Sequence, residues 1–198
     1  QTCALPISLK AKGDLNINND FISLGRLTLT ADSDASGVGD FKLASGATIT
    51  TNNNDLDLAG ANIDISSGTA DAGSGAATFS ITQSITADGT NLANLTAGSL
   101  EINVAGGFIV DGVTSSELTN VSGLLTLKST GDITFQNNAS SHDGAVTVLA
   151  DDDINVKVDV TSDGDFTATA DNDDDDIGDF ILDTGATVTS SNGNIDIT

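Results

Sequence analysis

Apolar and polar residues alternate with period two along almost the whole chain. The runs include LNI at Leu15, LTLT at Leu27, ATIT at Ala47, LDL at Leu56, LEINV at Leu100, AVTVL at Ala145 and FTAT at Phe166. Each run is short and is bounded by Gly, Asn, Asp or Ser, so it predicts a β-strand closed by polar turns. No segment carries a convincing helical period. The strands group into coils of about twenty residues, clearest in GDLNINNDFISLGRLTLTAD from Gly13, GDITFQNNASSHDGAVTVLAD from Gly131 and DDINVKVDVTSDGDFTATAD from Asp152. Two or three strands per coil, separated by polar corners, predict one rung of an all-β, right-handed parallel β-helix, a β-solenoid.

The chain also resembles itself. Ala11 to Leu58 aligns without a gap on Ala150 to Ile197, with about two positions in five identical. GDFKLASGATITTNNNDLDL from Gly39 returns as GDFILDTGATVTSSNGNIDI from Gly178. Such units bury their apolar face only against their neighbours, so a lone rung cannot fold and the backbone must bond from rung to rung. About nine rungs at roughly 4.8 Å each predict a rod near 43 Å long. The divergent stretch from Ser66 to Gly123 keeps the alternation with irregular spacing, and SGTADAGSGAA and DGVTSSELTNVSG are expected to bulge from the rod as corner loops. Residues 11–198 are expected to form one solenoid domain, a piece of a longer repeat protein. Residues 1–10 are expected to be non-native or irregular. The opening QTCALPI, with the only Cys (Cys3) and the only Pro (Pro6), resembles the translation of a sequencing-library adapter (CAG ACG TGT GCT CTT CCG ATC) joined to an environmental read.

Six basic residues against 29 acidic ones give a net charge of -23, which disfavours nucleic acid and anionic membrane surfaces as partners. Glu101 and Glu117 are the only glutamates. Aspartate favours turns, caps and oxygen-rich cation sites, where glutamate favours helices. With Cys3 set aside, no disulfide can staple the fold, and no apolar run is long enough to cross a membrane as a helix.

Runs such as GDLNI, GRLTLTAD, GDITF and GNIDIT resemble the rungs of filamentous haemagglutinin-type exoproteins over nearly everything from Lys12 to Thr198. That resemblance implies a secreted or cell-surface location and a non-catalytic role as a shaft segment of a large bacterial adhesin. The ligand, on a host or environmental surface, would then be bound by parts outside this stretch, and the partners within it would be neighbouring repeats.

Several residues invite chemistry. The loop ADSDASGVGDF at Ala31 and its counterpart ADNDDDDIGDF at Ala170 carry the alternating oxygens of a calcium loop: Asp32, Asp34, Ser36 and Asp40 in the first, Asp171, Asp173, Asp175 and Asp179 in the second. The twelfth position, where such a loop places a bidentate Glu, is Leu43 or Leu182. Weak calcium binding and a solvated acidic corner are both expected of such a loop, and the first would make the chain a calcium-stabilised matrix or surface-layer module. The pairs Thr28 and Thr30, Thr48 and Thr50, Thr167 and Thr169, Thr187 and Thr189 could stack into a hydroxyl ladder like an ice-binding face, or serve only as β-formers. The Asn-rich corners predict amide ladders along the rod. No catalytic set emerges. His142 is the single histidine, expected at the surface, and no Trp or Tyr is present to stack a sugar ring.

Overall fold

The computed structural model describes residues 5–198. It is a parallel β-solenoid of about eight turns with about 23 residues per turn. Cys3 and the rest of Gln1 to Ala4 lie outside the described residues, so the adapter-like opening is described only from Leu5 onward. Ile7–Lys10, left outside the rod by the sequence reading, is its first strand: Ile7 and Leu9 stack on Leu27 and Leu29.

One sheet runs the whole length. Its nine strands are Ile7–Lys10, Leu27–Thr30, Leu56–Gly60, Ala76–Ile81, Ser99–Val104, Leu125–Ser129, Val146–Ala150, Phe166–Thr169 and Ile195–Ile197, each paired in parallel with the next. Eight steps at about 4.8 Å give roughly 38 Å of rod. The second face begins as a three-stranded sheet (Leu15–Ile17, Phe41–Leu43, Ile63–Asp64) and continues as a five-stranded one running from Ile85–Ala87 to Phe180–Leu182. The third changes similarly from four strands, Phe21–Ile22 to Leu95–Thr96, to three strands: Ser140–His142, Val160–Ser162 and Val188–Ser190.

Alternation puts one residue set inward, and register stacks it. Leu27, Leu56, Ala77, Leu100, Leu125, Val146, Phe166 and Ile195 form one column; Leu29, Leu58, Phe79, Ile102, Leu127, Val148, Ala168 and Ile197 form the next. Together with Phe41, Phe108 and Phe135 the column residues from Leu27 to Ala168 make one continuous core, while Ile195 and Ile197 in the last rung are exposed. A one-residue slip would turn each column outward, so burial holds the register.

Turn length is not uniform. The step from Leu27 to Leu56 and the equivalent step from Phe166 to Ile195 each take 29 residues, whereas Val146 to Phe166 takes 20. Both long turns contain an acidic loop: ten residues separate Thr30 from Phe41 and Thr169 from Phe180. Most other corners are tight. A Cβ on Gly123 would stand 2.2 Å from the Gly98 carbonyl oxygen one rung below, so only glycine admits that approach.

The irregular middle is more regular than its spacing suggests. SGTADAGSGAA supplies the strand Thr69–Asp71 and the start of Ala76–Ile81, in a rung of 21 residues. DGVTSSELTNVSG turns inward, burying Val113, Leu118 and Val121. Glu117 there accepts hydrogen bonds from the Thr114 backbone N–H (2.9 Å) and hydroxyl, and the Thr114 carbonyl accepts the N–H groups of Glu117 and Leu118, which closes one turn. The three-residue 3₁₀ helix Leu92–Asn94 buries Leu92 at another corner.

Candidate functional site

Both acidic loops start from an aspartate in left-handed conformation, Asp32 with φ 49° and Asp171 with φ 54°, a region Asp tolerates in turns. In each, that carboxylate folds back on the loop. Asp32 Oδ1 accepts the Ser36 backbone N–H (2.8 Å) and hydroxyl (2.9 Å), and Oδ2 accepts the Gly37 N–H (3.0 Å). Thr82 adds its hydroxyl to Oδ2 at 2.7 Å from further along the rod. Asp171 similarly accepts the N–H groups of Asp175 (2.8 Å) and Asp176 (3.2 Å).

The loops then diverge in chemistry. In the first, Asp32 is only 3% exposed and its oxygens are committed to the loop, so its carboxyl is held below the usual range, chiefly by Thr82 and then by Ser36 and Gly37, against the cost of desolvation. Asp34 is exposed, and Asp40 accepts from Asn62 (3.1 Å) and lies 3.5 Å from Lys42 Nζ. The structure therefore draws Asp32 and Ser36 together but does not gather Asp34 and Asp40 with them into a carboxylate cluster.

In the second loop Ser36 is replaced by Asp175. Carboxylate oxygens of Asp171, Asp173 and Asp175 lie within 4.8 Å of one another, the one such group among the described residues. Partial desolvation, followed by the charges of Asp175, Asp151 and Asp171, pushes the Asp173 carboxyl above the usual range. A cation would relieve that repulsion. Calcium takes about six to eight oxygens, so three carboxylates giving one oxygen each would leave at least half of the positions to water. Asp179 stands apart, with its backbone N–H donated to Asp153 Oδ1 at 2.9 Å.

The threonine pairs do not share one plane. Thr28 with Thr30 and Thr167 with Thr169 lie on the nine-stranded sheet, whereas Thr48 with Thr50 and Thr187 with Thr189 belong to the third face. On the long sheet the outward column through Thr28 also holds Asp57 and Glu101. Arg26 meets Asp57 there at 2.7 Å.

The corner asparagines divide: Asn52 and Asn54 donate to backbone carbonyls, of Ser23 (3.0 Å) and Thr51 (2.7 Å), whereas others donate to aspartates of the adjoining rung. Asn137 and Asn138 donate to Asp111 (3.0 and 2.8 Å), Asn192 donates to Asp163 (2.6 Å) and Asn172 to Asp151 (3.1 Å). Asn137 and then Asn138 hold the Asp111 carboxyl below its usual range. A carboxylate accepts without needing to donate, so an Asp and Asn pair satisfies both sides where stacked amides would each need a third partner. His142, expected at the surface, is 3% exposed and points into the core.

Sequence reasoning missed a larger role for aspartate. Asp14, Asp20, Asp55, Asp132, Asp153, Asp159 and Asp165 each accept a backbone N–H from the next rung, at 2.7 to 3.2 Å. The signal was an Asp immediately before an apolar strand start, as in GDL, NDL, GDI and GDF.

Compared with family models, curated proteins and solved structures, the chain matches none. No helix among the described residues is long and apolar enough to cross a membrane.

Proposed function

We propose that this chain is a stretch of the shaft of a large secreted or cell-surface bacterial exoprotein, where it spaces a binding region away from the cell and performs no catalysis. One observation carries the reading: nine strands of a single sheet follow one another in unbroken parallel register over one continuous core. Such a column resists bending and transmits load through many backbone hydrogen bonds. The charge of -23 suits a solvated rod that stays clear of other anionic surfaces. The test is surface proteolysis of cells carrying the parent protein, followed by electron microscopy of the released material. Extended filaments containing this segment are expected. A parent protein that is compact, or retained inside the cell, would overturn the proposal.

The second reading, a calcium-stabilised surface module, draws on the three converging carboxylates of Asp171, Asp173 and Asp175. Extracellular modules of this kind bind calcium at roughly 0.1 to 1 mM. A melting temperature that rises with millimolar calcium, and no longer does so in Asp173→Asn, supports this reading. Equal melting curves in calcium and in chelator end it.

A further inference from the structure

The rung containing Ser140–His142 differs from those that follow. On the third face, Val160 and then Val188 succeed Ser140 in register, while Ser162 and Ser190 succeed His142. The hydroxyls of Ser162 and Ser190 both donate to the Gly164 carbonyl at 2.8 Å. The rung before has no strand under Ser140–His142, only the inward-turned loop through Val113 and Leu118, with Ser141 N–H donated to the Val113 carbonyl at 2.9 Å.

Two polar atoms are left inside. His142 Nε2 lies 2.8 Å from the Gly123 carbonyl oxygen, which can only accept, so Nε2 carries a proton. In the neutral ring Nδ1 is then a bare acceptor. Nδ1 and Ser140 Oγ have no hydrogen-bond partner in the protein, and their residues are 3% and 6% exposed. Both side chains line a cavity of about 20 Å³ whose other walls include Leu125, Leu127, Phe135 and Val146. Roughly 10 to 15 Å³ accommodates one water, provided that polar partners meet it.

We propose that this cavity is a hydration site taking a single water molecule, which donates one hydrogen to His142 Nδ1 and bonds Ser140 Oγ through its other hydrogen or a lone pair. Both residues sit at i and i+2 on one strand and face the same way, a spacing one bridging molecule spans. His142 thereby ties three groups across the rod: the Gly123 backbone, the water and, through it, Ser140.

Solution NMR on the ¹⁵N-labelled chain tests this. A protonated Nε2, an Nδ1 shifted as a hydrogen-bonded acceptor, and cross-peaks from a slowly exchanging water to the His142 ring and the Ser140 β-hydrogens are expected. Ser140→Val, which fills the cavity, is expected to abolish the water cross-peaks and move Nδ1 to the shift of an unbonded nitrogen. An Nδ1-protonated ring, a direct bond from the Ser140 hydroxyl to Nδ1, or absence of water cross-peaks in the unsubstituted chain would overturn the proposal. Those three readings need no variant, so a Ser140→Val chain that does not fold leaves the test intact.

Discussion

At Asn53 the backbone adopts φ 66°, and the side-chain oxygen accepts the Ser74 N–H of the next rung at 3.1 Å. Asn53→Leu is expected to cost about 1 to 2 kcal/mol for the left-handed backbone alone, although the position is exposed. Chemical denaturation checks it, with Asn53→Gly as the comparison that keeps the backbone and loses only the hydrogen bond. Asp32 sets a pH dependence. Its carboxyl is depressed in the fold, so its contribution is complete above the unfolded value, near about pH 4, and is lost as pH falls through the lower folded value. Asp173 has the opposite sign, because its raised carboxyl favours protonation and acid relieves the second loop. Thermal melts from neutral pH to pH 3 should therefore fall only at the acid end. In Asp32→Asn that acid loss should shrink, while the melting temperature at neutral pH drops.

At the scale of strands and corners, close approach of successive rungs decides what is tolerated. Gly123→Ala forces a methyl group against the Gly98 carbonyl and is expected to cost about 1 to 3 kcal/mol by overpacking. Gly13→Ala, with nothing within 4 Å, is its control in the same denaturation series. Leu58→Ala, in the middle of a core column, is expected to cost about 2 to 5 kcal/mol. The strands themselves were legible, because period-two alternation and burial coincide in Leu27–Thr30 and Val146–Ala150 alike. A rung length of about twenty is legible because GDITFQNNASSHDGAVTVLAD spans one ordinary turn. The two 29-residue turns were not recognised as such, since their loops leave and rejoin the rung without changing the alternation. The acidic loops were legible as a pair but not in their difference. A repeat pattern cannot tell that Asp32 is spent on Thr82, fifty residues away. His142 was misread for a related reason: NASSHDG is a polar corner by composition, yet Ser140 and His142 fall on the inward phase of its strand.

For the whole molecule, stability is a sum over neighbours. Damage at Leu58 should loosen adjoining rungs first and distant ones least, and hydrogen exchange resolved along the chain would read that gradient. Uniform loss of protection from Leu27 to Ile197 would contradict it. The aspartates that accept from the next rung follow the same logic, since each links only two turns.

The ten-residue excursions after Thr30 and Thr169 store chain sideways. A 29-residue turn climbs the axis no further than a 20-residue one. Reach and residue count are therefore uncoupled in this architecture, and material spliced in beside Val38 or Ile177, which both stand out into solvent, would decorate the flank without changing the stride.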